Sequence, residues 1–336
     1  MMMHHFHKTQ LICFLAALFM LCGKVVDAQT LLKQKNISRM GIPPGNYSGI
    51  TRINDTLYAV VNDKEQSEGF HLFTIEMNRK NGKIRNVSDR LVCAPHPVQQ
   101  ALDMEGICYR KSSNTLFISN EADQRIMEYS LEGIATGKEL NVPDIFSIDN
   151  IQPNRGFEAI TYNEHTRLFW TTTESELKGE DSRHPLRLHL QSFDDTMQAH
   201  KQFIYTMDSP QLAKKRNIRN HVKGVPALIA LDNGDLIVME RELMVPRRLL
   251  GTCCIIKLFL VHPNSADPFV PLSKQLICQF KTSLKISRMN FANYEGMCLG
   301  PLLDDGQQTI ILINDSQNRM GNWIYRLKDY LKVIIL

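Results

Sequence analysis

The chain has 336 residues, with 39 basic and 35 acidic side chains and a net charge of +4. That near balance, with no long basic run and no aromatic-rich RNA motif, argues against a nucleic-acid partner. The length allows two ordinary domains or one large all-β domain.

Residues 1–28 have the layout of a secretory signal. His4, His5, His7 and Lys8 precede an apolar run from Leu11 to Leu21, and Val26-Asp27-Ala28 offers a small residue before a cleavage point. The expected mature chain starts at Gln29 and is secreted or periplasmic. Lys8, Lys24 and Asp27 leave with the signal, so the net charge falls from +4 to +3. Neither this apolar run nor any later one reaches the roughly 20 residues of a membrane-spanning helix, so no integral membrane segment is expected.

Downstream, one phrase recurs five times. It is clearest from Asp103 to Glu121, DMEGICYRKSSNTLFISNE: an acidic and a small residue, an apolar run, a polar turn, and a second apolar run ending in a carboxylate. Related phrases begin at Ser48 (SGITRINDTLYAVVND), Glu158 (EAITYNEHTRLFWTTTE), Pro226 (PALIALDNGDLIVME) and Glu295 (EGMCLGPLLDDGQQTIILIND). Each reads as an antiparallel hairpin, because short runs of Ile, Leu, Val, Phe and Thr flank a turn bearing Asn, Asp or Gly. Asp232-Asn233-Gly234-Asp235 is the plainest turn, since Asn-Gly tolerates the positive φ of a tight hairpin. The openings lie about 53 to 69 residues apart, a repeat that suits four-stranded blades set around a channel. The fold expected is an all-β, single-domain β-propeller over residues 29–336, with no Gly/Ser/Pro-rich linker after Ser48. Five blades are visible. A sixth is expected from the chain ends or the interval Lys178 to Val225, and Tyr330 to Leu336 is the candidate closing strand.

Six cysteines follow the signal. Cys108 and Cys298 fall at equivalent core positions and read as buried thiols, and no Cys or Cys/His pair has zinc spacing. Five Asn-x-Ser/Thr sequons, at Asn36, Asn46, Asn54, Asn86 and Asn314, are formal glycan acceptors. Lys214-Lys215-Arg216 with Arg219 reads as a solvated loop. Ser182-Arg183-His184-Pro185 lacks the glycine of the histidine acid phosphatase signature. GxSxG, HExxH and a P-loop are missing.

The chemistry-bearing residues are the carboxylates that recur at fixed places. Glu105, Glu158 and Glu295 open their phrases and are expected to converge near the channel axis. Buried like charges repel unless a cation accompanies them, and a hard divalent ion such as calcium, held through oxygen ligands, would relieve that. A second set, Asp63, Glu121, Glu174, Glu240 and Asp315, closes the next strand and is expected to ring the opposite mouth. Asn62, Asn120 and Asn314 stand just before three of these as neutral oxygen ligands. Alternatively, these side chains cap strand ends and bond backbone amides between blades. Arg241, beside Glu240, has the forked donors of an anion clamp, and an inter-blade salt bridge is the alternative use.

NYEGMCLGPLLDDGQQTIILINDSQN (Asn293 to Asn318), GFEAITYNEHTRLFWTTTE (Gly156 to Glu174) and NGDLIVMERE (Asn233 to Glu242) resemble the signature segments of the phytase-like family, also described as esterase-like activity of phytase. The resemblance covers nearly all of the mature chain. It implies a secreted or periplasmic propeller hydrolysing phosphoesters or other esters. Two departures stand out: Ala159 replaces the usual glycine, and the fourth copy opens Val225-Pro226-Ala227 with no glutamate. The expectation is a monomeric, metal-assisted hydrolase of a small anionic ester or phosphoester, with Glu105, Glu158, Glu295 and Arg241 in the catalytic site. The same three glutamates with Asn120, Glu121, Asn314 and Asp315 are the candidate metal ligands. The alternatives are a binding propeller for a glycan, peptide or protein, and a lactonase-like propeller.

Overall fold

A computed structural model describes residues 29–336 apart from 64–68, 94–102, 181–185, 213–217, 268–269, 286–287 and 322–324. The signal segment, Ser182 to Pro185 and Lys214 to Arg216 therefore lie outside the described residues.

The described residues form five antiparallel sheets. Blade 1 comprises β3 (Tyr47–Arg52), β4 (Leu57–Asn62), β5 (Gly69–Met77) and β6 (Ile84–Cys93). Blade 2 comprises β7 (Met104–Arg110), β8 (Thr115–Asn120), β9 (Arg125–Ser130) and β10 (Ala135–Glu139). Blade 3 is built from β11 (Phe157–Asn163), β12 (Leu168–Thr173), β13 (Arg187–Phe193) and β14 (Ala199–Thr206). In blade 4, β15 (Ile218–Ala230), β16 (Leu236–Pro246), β17 (Cys253–Val261) and β18 (Lys274–Lys285) are followed by the short β19 (Arg288–Met289). Blade 5 joins β20 (Asn293–Leu299), β21 (Thr309–Asp315) and β22 (Tyr330–Ile335) to the N-terminal β1 (Thr30–Leu31) and β2 (Lys35–Asn36).

Each sequence phrase is the inner hairpin of one blade, and the closing strand is the one expected: β22 pairs antiparallel with β1, Thr30 opposite Ile335. Among the described residues there is no sixth blade. The interval from Lys178 to Val225 supplies β13 and β14, which finish blade 3, and the chain ends complete blade 5. The count legible in the repeats is the count of blades among the described residues.

The core is divided between the blades, because every sheet buries both faces against its neighbours. Tyr47, Val60 and Phe73 of blade 1 pack on Ile311 and Leu331 of blade 5, and Phe117 of blade 2 packs on Phe169 of blade 3. Apolar residues on both faces of a strand explain why β4, β12 and β21 read as continuous runs of hydrophobic and threonine side chains.

Cys108, Cys253, Cys254, Cys278 and Cys298 are buried thiols, as expected for Cys108 and Cys298. Asn46 and Asn314 are buried, which removes two of the five sequons as glycan acceptors. No helix among the described residues is long and apolar enough to cross a membrane.

Candidate functional site

The same irregularity occurs in all five inner strands. The pairing register slips between Tyr47 and Gly49, Met104 and Ile107, Phe157 and Ala159, Gly224 and Ala227, and Tyr294 and Gly296. A β-bulge inserts an unpaired residue and re-aims its side chain. At these bulges stand Ser48, Glu105, Glu158, Pro226 and Glu295 in turn.

The Glu-Gly dipeptide of the repeat has a packing cause. A Cβ on Gly49 would lie 2.5 Å from the carbonyl oxygen of Glu105, and one on Gly106 would lie 2.5 Å from that of Glu158. On Gly296 it would lie 2.9 Å from that of Ser48. Each glycine lets the next blade's inner strand approach closely. Ala159, the departure, belongs to the blade that faces blade 4, where proline replaces the glutamate.

Glu105, Glu158 and Glu295 do converge, as the sequence suggested. Burial, and then Glu158, Asp63, Glu295 and Glu121 around it, hold the Glu105 carboxyl well above the ordinary range. Burial and Glu174 do the same to Glu158, against the pull of Arg241. Glu295 is pushed up to about 8 by burial, with Arg241 opposing and Asp315, Glu174 and Asp63 adding.

The second carboxylate set does not ring the opposite mouth. In an antiparallel hairpin the end of the second strand lies beside the start of the first, so both sets occupy one mouth. The backbone N–H of Asp63 bonds to Asn46 O, that of Glu121 to Asp103 O, and that of Glu174 to Gly156 O; Asp315 pairs with Asn293. In blade 4 the residue in this register is Arg241, paired with Gly224. Glu240, one position earlier, points to the other face. There it accepts the Tyr205 hydroxyl at 2.7 Å and Lys274 Nζ at 2.5 Å.

Arg241 is therefore the counter-charge of the ring. It is 5% exposed, ion-pairs with Glu174 and Glu295, and lies 3.9 Å from Glu158. Arg155 adds a second cation on Glu174. Its Nη1 and Nη2 are engaged by these carboxylates and Asn293, while its Nε is buried without a hydrogen-bond partner; the salt bridge between blades is the use observed.

The asparagines serve the backbone. Asn120 Oδ1 accepts the amides of Asp103 and Ala122, both at 3.1 Å. Asn314 accepts the Tyr330 amide and donates to Asp315 O and Lys328 O, and Asn62 accepts the Asn46 amide at 2.7 Å. These contacts match the capping alternative. Glu121 spends one oxygen on the Gly156 amide at 2.6 Å, and Asp315 accepts from Gln317.

At the other side of the ring, Asp63, Asp103 and Glu105 each present an oxygen, all within 4.8 Å of one another. Asp103 Oδ1 and Glu158 Oε2 are buried without a hydrogen-bond donor. A hard, oxygen-seeking divalent ion fits this donor set, and thiol or imidazole ligands are lacking in the cluster. Asp103 was overlooked in the sequence; its signal was the Asp-x-Glu spacing, which places both carboxylates on one strand face.

The opposite mouth is of another kind. A cavity of about 160 Å³ there is lined by Ile50, Ile107, Ile160, Leu228 and Met297, with Arg52, Tyr109 and Tyr162 further out.

Comparison with solved structures returns propellers and other proteins at low identity. One is a structure titled for GH130 mannoside phosphorylases and glycoside hydrolases that target β-1,2-mannosidic linkages in Candida mannan, at 8% identity and TM-score 0.48, covering 90% of this chain and 94% of that one. Another is a periplasmic gluconolactonase of Pseudomonas aeruginosa, at 12% identity and TM-score 0.40, covering 85% and 88%. A member of the DUF4221 family from Bacteroides vulgatus aligns at 9% identity and TM-score 0.41, covering 92% and 98%. No curated protein matches the sequence. The repeats, the five-fold bulge and the carboxylates it gathers fall within residues 42–317, which match the family model described as phytase-like, esterase-like activity of phytase; the chain belongs to that family.

Proposed function

We propose that the acidic mouth is the site of a cation-assisted hydrolase acting on small esters, phosphoesters among them. The observation that carries this reading is the trio Asp63, Asp103 and Glu105, whose oxygens lie within 4.8 Å of one another beside the buried Glu158 carboxylate. These residues would hold the ion. When bound, a divalent cation would polarise the ester oxygen and lower the pKa of a water. The chain itself supplies the proton chemistry. Glu295, with its pKa near 8, can hold or release a proton around neutral pH, which is where a general acid or base works best, and burial raises Glu158 beside it as well. Arg241 fixes Glu295 and Glu174 as a positioning residue.

A non-catalytic binding propeller is the second reading. The observation favouring it is that Arg241, Asn120 and Asn314 all have structural partners. The deciding experiment is elemental analysis and calorimetry of the chelated mature protein, followed by ester, phosphoester and lactone turnover with and without chelator. One stoichiometric ion, lost in Glu105→Gln together with turnover, is the expected result. No binding at millimolar calcium, magnesium, manganese or zinc would hand the lead to the binding reading. Preferential opening of lactones would identify a lactonase-like enzyme. Secretion through the segment ending near Ala28 belongs to the same proposal. Sequencing the N-terminus of exported protein, expected at Gln29, tests it.

A further inference from the structure

Beyond the carboxylate ring, one cavity shares a wall with it. Blade 4 has longer strands than its neighbours, and the stretch of β15 before Gly224 and of β16 after Arg241 rises past the bulge on the acidic side. Between this raised edge and the segment after β21 lies a cavity of about 230 Å³. Its sides are apolar, formed by residues such as Leu243, Val245, Leu284 and Phe291, and its polar groups are Asn220, Thr252, Asn293, Asp315 and Gln317. Asn293 connects it to the ring: its Nδ2 donates to Glu295 Oε1 at 2.7 Å, and its Oδ1 accepts from Arg241 Nη1 at 3.4 Å.

Among the described residues the lining contains no lysine or arginine, while Asp315 faces it. A phosphate or other anion would meet the Asp315 carboxylate there. Apolar walls reward a neutral hydrocarbon group, and about 150 Å³ is already enough for a benzene ring. We propose that this cavity receives the uncharged acyl chain or ring of a carboxylic ester whose ester group lies at the acidic mouth. The inference rests on the hydrolytic reading and narrows its substrate from phosphoesters to carboxylic esters with an apolar acyl part. In that reaction the water oxygen bonds to the acyl carbon and the bond from that carbon to the alkoxy oxygen breaks. One water proton goes to the departing alkoxide and the other is released from the new carboxylic acid.

Two measurements test it together. The first is 1-hexanol binding to cation-free protein by NMR titration, for the wild type and for Val245→Phe, which fills the cavity from a half-buried strand position. The second is the ratio of kcat/KM for p-nitrophenyl hexanoate over p-nitrophenyl acetate in both proteins. Hexanol should bind the wild type and weaken at least tenfold in Val245→Phe. The hexanoate preference should fall about tenfold, with acetate turnover changed less than twofold. Met320→Ala, at the exposed rim, should extend the preference to longer chains and serves as the second variant should Val245→Phe fail to fold. Equal hexanol binding in both proteins, or an unchanged chain-length ratio, overturns the inference. Hexanol binding lost in Val245→Phe, in a protein that cleaves no ester, instead overturns the hydrolytic reading and leaves the ligand class of the cavity standing.

Discussion

Blades 2 and 4 occupy equivalent places in one ring and carry opposite charge. At the bulge and at the end of the next strand blade 2 has Glu105 and Glu121, whereas blade 4 has Pro226 and Arg241. The fourth repeat, which looks degenerate as a sequence, is the one that makes the others tolerable. Carboxylates buried side by side are costly; a guanidinium built into the same register offsets two of them directly. The rest, around Asp63, Asp103 and Glu105, bring three carboxyl groups within 4.8 Å of one another, and under the proposed function that is the half of the ring to which a cation would go.

The largest effect should come from abolishing the contrast. Arg241→Met leaves Glu174 and Glu295 without their partner and should lower stability by about 3–5 kcal/mol in denaturant unfolding. Adding Glu295→Gln to that variant should recover part of the loss, since the two changes are coupled.

Titration sharpens the comparison next. Glu105, Glu158 and Glu295 have folded pKa values above their unfolded ones, so the folded state binds more protons. Their contribution is fully present below about pH 4.5 and is lost as pH rises, for Glu295 through about 8. Cation-free protein should therefore lose stability between about pH 5 and 8 in thermal or denaturant melts. Calcium at a hundredfold excess over its Kd should return about 2.7 kcal/mol and flatten the slope. Glu105→Gln should raise the stability of cation-free protein by about 1–2 kcal/mol and abolish the calcium response. Loss of stability in that variant would mean that Glu105 is held by partners rather than repelled by neighbours.

Exchanges at the glycine position carry the contrast down to the smallest effect. Gly106→Ala should cost about 1–3 kcal/mol, because its Cβ would meet the Glu158 carbonyl oxygen of the next blade. Ala159→Gly, facing blade 4, should cost only about 0.5–1 kcal/mol of chain entropy. Equal values in unfolding experiments would show that the Glu-Gly dipeptide is not a packing requirement.

Much of this was legible before any coordinates. The short apolar runs and the Asn-Gly turn at Asn233-Gly234 identified the hairpins, because strand-favouring composition and turn chemistry are local properties. Glu105, Glu158 and Glu295 could be expected at one place since they open equivalent strands. The errors arose where the answer depends on register. A bulge hides a residue from simple counting, so Glu240 was aligned with Glu174 when Arg241 is its equivalent. A one-residue slip on a strand exchanges the two faces. The outer strands of blade 3 carry no repeated phrase, and so the stretch containing Arg187 to Phe193 and Ala199 to Thr206 was open to being read as a further blade. The backbone contacts of Asn120 and Asn314 were hidden for a different reason. Asparagine offers its carbonyl to any nearby amide, and strand ends supply amides in abundance.

The clasp between β1 and β22 has a temporal consequence. It joins residues about as far apart as the chain permits: Lys332 donates to the Leu32 carbonyl across 300 positions of sequence. During synthesis, four blades can be assembled while the ring is still a crescent, with the inter-blade face of blade 1 waiting for Ile311 and Leu331. Contacts of such long separation are slow to form, and until they do, unpaired strands are open to pairing with other chains. The interval between the emergence of blade 4 and the arrival of Tyr330 to Ile335 is thus the period in which this protein is most exposed to aggregation.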